Sequence, residues 1–151
     1  MMLKRIPDGY AEILDTFGNP LLAGWGVNLV TFSLPFSLRY MEHIIRRATC
    51  HVKAQEHFLQ AFENIKCEGL EEHVREYGGI YSARTKRGSN GQLSTHAFGI
   101  AIDLCPSQYP LGSDKRLPAE VISCFTKVGF FYGGDFNGRK DPMHFQLCTG
   151  Y

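Results

Sequence analysis

Apolar and polar positions along this chain repeat with two periods, and the changes of period mark its elements. From Asp8 to Phe17 the apolar residues Tyr10, Ile13, Leu14 and Phe17 share one helical face, and Gly18 ends the segment. Val27 to Leu34 alternates instead, with Val30, Phe32 and Leu34 in step, which predicts an edge strand that Pro35 terminates. Ser37 to Arg47 fits neither period cleanly. Residues 52–66 form the clearest helix, with Ala54, Phe58, Ala61, Phe62 and Ile65 at helical spacing. A second short helix is expected from Leu70 to Tyr77, closed by Gly78-Gly79. His51, His57 and His73 lie in this helical region and are expected at the surface, since no carboxylate stands at ligand spacing from them. Pro118 opens a further helix that runs to Val128, burying Val121, Cys124, Phe125 and Val128, and Gly129 stops it.

Two segments alternate as strands. In Gly99 to Leu104, Ile100, Ile102 and Leu104 point one way while Ala101 and Asp103 point the other. In Met143 to Leu147, the apolar Met143, Phe145 and Leu147 oppose His144 and Gln146. Two such strands side by side would aim Asp103 and His144 into one cleft. His96 stands seven residues before Asp103, an odd number, so a straight strand would put them on opposite faces. A bend is therefore required, and Gly99 permits it. These elements are read as a compact α+β domain, its helices packed on a small, mostly antiparallel sheet.

Composition narrows the class. At 151 residues the chain reads as one domain, residues 1–151, large enough for its own core. The formal charge of +1 points to no nucleic-acid partner and no strongly acidic one. Residues 16–38 carry no charge, but Asn19, Pro20, Gly24, Gly26 and Pro35 interrupt them, so membrane insertion is not expected. The N-terminal Lys4-Arg5 is followed by no apolar run, so a secretory signal is not expected, and synthesis in the cytoplasm is. Five cysteines, at 50, 67, 105, 124 and 148, make no Cys-x-x-Cys pair and fit reduced thiols. Cys105 shares a strand face with Asp103 and is a lesser ligand candidate. Eleven Phe and seven Tyr suit either a β-rich core or an aromatic groove. A monomer is expected.

The chemistry concentrates in two phrases. Ser94-Thr95-His96-Ala97-Phe98-Gly99-Ile100-Ala101-Ile102-Asp103 holds one imidazole and one carboxylate, and Asp141-Pro142-Met143-His144-Phe145-Gln146 holds another of each. Two imidazoles and one carboxylate are ligand types that hold a catalytic zinc with a position left for water. Asp141 then supplies a candidate base, the minimum for metal-assisted hydrolysis. Each histidine taken singly has a bland alternative as a hydrogen-bonded structural residue.

Taken whole, Ser-x-His-x-x-Gly-x-Ala-x-Asp followed by Asp-x-x-His-Phe-Gln resembles the LAS-group zinc peptidases. These comprise D-alanyl-D-alanine carboxypeptidases and dipeptidases, and the phage and bacterial L-alanyl-D-glutamate endopeptidases. The resemblance extends over residues 50–147 and is densest over 78–147. It includes Gly78-Gly79-Ile80-Tyr81-Ser82-Ala83-Arg84, where the family carries an arginine, and the aromatic-Gly-Gly-Asp-aromatic stretch Tyr132-Gly133-Gly134-Asp135-Phe136. This chain has Cys105-Pro106 where the family often has Asn and Pro after Asp-Leu, and Tyr132 where Trp is common. Asp141-Pro142 is more similar to the endopeptidase branch than to carboxypeptidases that carry Glu. The resemblance implies the LAS fold (hedgehog and D-Ala-D-Ala peptidase-like). It also implies zinc on His96, Asp103 and His144, Asp141 as acid–base, and Arg84 on an oxyanion or substrate carboxylate. Ser94 and Gln146 are expected to contact substrate or, for Gln146, to orient a ligand. The implied substrate is a peptidoglycan stem peptide, with the cut expected at L-Ala–D-Glu and release to the wall by phage-type lysis. A D-Ala-D-Ala carboxypeptidase and a non-catalytic zinc module are the alternatives.

Overall fold

The computed structural model describes residues 1–151. Helix α1 (Gly9–Phe17) buries Ile13 and Phe17 and ends where Gly18, at φ 76°, returns its N–H to the Leu14 carbonyl. A long antiparallel ribbon follows, β1 (Leu29–Tyr40) against β2 (His43–His51). Pro35 does not end β1, contrary to the sequence expectation. The ladder slips between Ser33 and Leu38, and Pro35 sits in that irregular stretch, where its missing N–H costs no ladder bond. The ambiguous segment 37–47 is the end of β1, a two-residue turn at 41–42 with Met41 at φ 51°, and the start of β2.

Helix α2 (Gln55–Cys67) buries Phe58, Ala61, Phe62 and Ile65, the stripe its periodicity predicts. The helix expected over Leu70 to Tyr77 is a single 3-10 turn at Glu71–His73, and Gly78-Gly79 belong to strand β3 (Tyr77–Gly79) instead of closing a helix. Eight residues give too few hydrogen bonds to offset helix nucleation, and the sheet edge captures the glycines.

The remaining strands are β4 (Ala101–Leu104), β5 (Phe131–Tyr132) and β6 (His144–Gln146), with α3 (Ala119–Thr126) between β4 and β5. They form a four-stranded antiparallel sheet in the order β3-β4-β6-β5. The fold is thus α+β, with small antiparallel sheets and three helices.

The helices cover one face of this sheet. Phe32 packs near Phe58, Phe58 on Phe130, Phe62 against Phe125, and Phe125 stacks on Phe145 at 4.4 Å. The phenylalanines are therefore mostly core, and they form a continuous apolar support from the ribbon to the back of β6. One cluster of 28 buried residues, from Ile13 to Cys148, holds the elements together. No helix is long and apolar enough to cross a membrane.

Candidate metal centre

The other face of the sheet carries the polar residues. In the β4–β6 ladder Asp103 pairs directly with His144, Ile102 with Phe145, and Ala101 with Gln146. Directly opposed residues share a face, so Ile102 and Phe145 enter the core while Asp103, His144 and Gln146 face away from it. His96 arrives from a 3-10 turn, Thr95–Phe98. Ser94 caps that turn by accepting the His96 N–H at 3.3 Å, and Gly99, at φ 69°, ends it and redirects the chain into β4. The bend demanded by the odd spacing is therefore at Gly99. A side chain there would be doubly excluded, since its Cβ would lie 2.7 Å from the His51 amide nitrogen.

His96, Asp103 and His144 thereby converge, with one ligand-capable atom from each inside a 4.8 Å span. His96 Nε2 lies 3.3 Å from Asp103 Oδ2, and His144 Nδ1 lies 3.0 Å from Asp103 Oδ1. The rest of each ring's bonding decides what these approaches mean. His96 Nδ1 is 2.8 Å from the Ile80 carbonyl, which can only accept, so Nδ1 carries the proton in the neutral ring. His96 Nε2 is then a bare lone pair, buried, facing a carboxylate oxygen, and without a hydrogen-bond partner. His144 repeats the pattern with its nitrogens exchanged. Its Nε2 is 2.9 Å from Gln146 Oε1, and the Gln146 amide is oriented by its own Nε2 donating to the Tyr151 main-chain oxygen at 3.0 Å. Two lone pairs and a carboxylate aimed at one point form a cradle for a cation.

The charge balance says the same. Burial works to raise the pKa of Asp103, but hydrogen bonds and charge from His144 and His96 outweigh it and hold the carboxyl well below its usual range. Burial works to lower that of His144, and the hydrogen bond and charge of Asp103 reverse it into a raised value. A positive charge between these groups is stabilising, and a proton or a metal ion can supply it. Two imidazole nitrogens and one carboxylate oxygen match the donor set of zinc sites that keep one position open.

Asp141 stands at the rim of this cradle. Its carbonyl accepts the His144 N–H, closing a tight turn, and its own N–H donates to Gly133. The carboxylate lies 4.0 Å from His144 Nδ1, and its Oδ1 is buried and unpartnered. Burial raises its pKa, against the charge of His144. A carboxyl so placed is suited to exchange a proton with a group in the cradle.

Two glycines without a predicted role at the site bring the backbone to it. A Cβ on Gly78 would meet Asp103 Cβ at 2.8 Å, and one on Gly133 would meet the Asp141 carbonyl at 2.5 Å. Gly134 is packed under the Tyr132 ring, and Asp135 pairs with Arg116 at 2.7 Å, so the Tyr-Gly-Gly-Asp stretch frames the site.

A cavity of about 500 Å³ opens over the cradle, bordered by Arg84, Ser94 and Gln146 among others. Ser94 and Gln146, expected at the substrate, are both buried and spend their polar atoms on the His96 turn and the His144 ring. Arg84 is exposed at the lip. Cys105 leaves the strand at φ 52° and turns its thiol to the His73 carbonyl, so it is not among the converging ligands. His51 and His57, expected at the surface, are buried, because each ring bridges main-chain groups of separate elements. His73 is exposed, as expected. The Tyr151 and Ile80 main-chain oxygens that set the two tautomers had no sequence signal, because any residue carries a carbonyl.

The family model described as D-alanyl-D-alanine carboxypeptidase matches residues 87–147, a span that contains His96, Asp103, Asp141 and His144.

Proposed function

We propose that the chain is a LAS-group zinc peptidase, a single-domain L-alanyl-D-glutamate endopeptidase of peptidoglycan stem peptides, a reading that the family match and the converging donors support. The family supports a metallopeptidase acting on peptidoglycan-like substrates. The observation that carries the finer reading is the shape of the cleft. A second cavity, of about 390 Å³, adjoins the first, and the two share Arg84, His96 and Asp103. The cradle thus lies at a seam with space on both sides. An endopeptidase must seat chain on both sides of the scissile bond, whereas a carboxypeptidase needs one side closed around a terminal carboxylate.

In this reading His96, Asp103 and His144 would hold zinc, which would supply a lowered water pKa, from about 15.7 to roughly 7, and polarisation of the scissile carbonyl. The chain's own groups do the rest. Asp141 takes the proton from the attacking water as its oxygen bonds to the carbonyl carbon. As the C–N bond breaks, Asp141 delivers that proton to the departing amine. Arg84 steadies the charge that develops on the carbonyl oxygen, or a nearby substrate carboxylate. Gln146 holds the His144 ring, and Ser94 holds the turn that presents His96. Asp141, whose Oδ1 is buried and unpartnered at the rim, argues against a zinc module without catalysis. Release to the wall through phage-type lysis belongs to the same reading.

Purified murein digested with the zinc-loaded protein, with products identified by mass, tests the bond. The expected new amino terminus is that of D-Glu. Release of free D-alanine from a pentapeptide, with L-Ala–D-Glu intact, would overturn the endopeptidase and favour the carboxypeptidase that the family description names.

A further inference from the structure

The two cavities that meet at the cradle differ in chemistry. The larger one is cationic at its outer wall. Arg84, Lys86 and Arg87 come from one loop and Arg139 from the loop across the cleft, against only two carboxylates, Asp103 and Asp141, which face the metal position. The chain's arginine–carboxylate pairs are those of Arg5, Arg75 and Arg116. Arg84, Arg87 and Arg139 are left without an acidic partner. Lys86 is held at the wall, its ammonium 3.7 Å from the centre of the Tyr151 ring.

The smaller cavity has the opposite character. Beyond the shared Arg84, His96 and Asp103 it is lined by Tyr40, Ile45, Tyr77, Tyr81, Ser82 and the Gly78-Gly79 backbone, none of them charged. Tyr77 spends its hydroxyl on the Ile80 N–H at 3.0 Å, so it offers mainly its ring. Tyr40 and Tyr81 are 49% and 40% exposed, large rings free to meet a ligand. Gly78 lies against Asp103, so no side chain separates this floor from the cradle. Aromatic rings with a polar tip suit an uncharged, partly apolar ligand such as a sugar or a capped small residue.

We propose that the cleft reads its substrate in one direction: Arg87 and Arg139 take the acidic portion of the peptide, and Tyr40 and Tyr81 take the uncharged, sugar-bearing portion. This rests on the peptidase reading and adds polarity to it. A stem peptide has this asymmetry. Its sugar-linked L-Ala end carries no ionised carboxyl, while D-Glu and the residues beyond it keep free carboxylates. Guanidinium groups without internal partners suit those carboxylates, because the planar fork can bind them in bidentate fashion. Substrate bound in reverse would put carboxylates among the tyrosines and leave the guanidiniums unmatched.

The test compares binding and turnover across paired peptides. One pair carries the D-Glu carboxyl free or amidated, and the other carries the sugar or an acetyl cap in its place. Dissociation constants are measured by calorimetry on zinc-loaded Asp141→Asn protein, and kcat and KM on protein with Asp141 intact. Combining Arg87→Gln with Arg139→Gln should weaken the free-acid peptide about tenfold or more. The amidated one, with its C-terminal carboxyl amidated in both members of the pair, should stay within about twofold, because it then has no carboxylate to lose. Combining Tyr40→Ser with Tyr81→Ser should weaken the sugar-bearing peptide and spare the acetyl-capped one. Equal loss for free-acid and amidated peptides, or tyrosine variants that act on the charged end, would overturn the proposal. If these binding differences hold but no peptide is cut, the peptidase reading fails and the directional surface stands. If peptides are cut with no such differences, the reverse follows.

Discussion

At the junction of β2 and α2, His51 and His57 are buried, and every ring nitrogen has a complementary partner. His51 Nε2 donates to the Phe17 carbonyl and Nδ1 accepts the Lys53 N–H. His57 Nδ1 donates to the Val128 carbonyl and Nε2 accepts the Leu3 N–H. On the open face of the sheet, His96 and His144 are as deeply buried, yet each has only one nitrogen so matched. The other nitrogen of each meets a carboxylate oxygen, an acceptor facing an acceptor. Burial therefore does not separate the bridging histidines from the candidate metal ligands in this protein. The matching of donors to acceptors does: the first pair is complete as neutral rings, and the second is complete only when a cation is added.

The sharpest way to break this contrast is to remove the ligands. His96→Ala and His144→Ala, singly or together, should lose zinc and turnover together, whereas His57→Ala should keep one zinc per folded chain. Metal analysis of the purified variants checks this, and full zinc in the His96→Ala, His144→Ala double variant would refute the site.

Next in size is Asp141→Asn, which keeps the shape but removes the proton acceptor. Turnover should fall by about 10²–10⁴-fold with zinc retained. Loss of zinc in that variant would make Asp141 a ligand.

The structural pair should reveal itself through pH. Burial pushes the His51 imidazole down from 6.5 to about 4, against the raising effect of its bond to Phe17. The unfolded chain then takes up a proton as pH falls below 6.5 while the folded chain does not. The stability contributed by the neutral ring is present above pH 6.5 and is lost between pH 6.5 and 4, by on the order of 2–3 kcal/mol. Denaturant midpoints across that window should fall with pH, and His51→Leu should flatten the slope. An equal slope in both proteins would reject the assignment.

The smallest expected effect lies behind the metal. Gln146→Leu removes the group that orients His144, so zinc affinity should drop by about 10–100-fold with the ligand set intact. Chelator competition measures this.

Much of the site could be read along the chain because its residues are close in sequence to the devices that aim them. The period of two over 99–104 and 143–147 puts Asp103 and His144 on the polar faces of adjacent strands, and the odd His96–Asp103 spacing requires the bend that Gly99 supplies. Helix α2 was equally legible, since five apolar residues at helical spacing leave one face to bury. What misled were elements whose fate depends on distant partners. Pro35 reads as a strand end, but a slipped register across the ribbon accommodates it. Residues 70–77 read as a helix, but β4 offers the glycines a ladder. Gly78-Gly79 read as a stop signal, and the use of Gly78 is its close approach to Asp103.

The order of residues alone sets the donor types, their faces on the strands and the apolar stripes that hold the helices to the sheet. Such features follow from local backbone geometry, where side chains repeat with fixed periods of 2 and 3.6. Which nitrogen of His96 is free is settled only in the folded chain, because the Ile80 carbonyl reaches its ring through the fold. Folding also gathers the unpaired cations on one side of the cradle and the uncharged tyrosines on the other. Both outcomes depend on how loops remote in sequence are set against one another by the shared core, which no local period encodes.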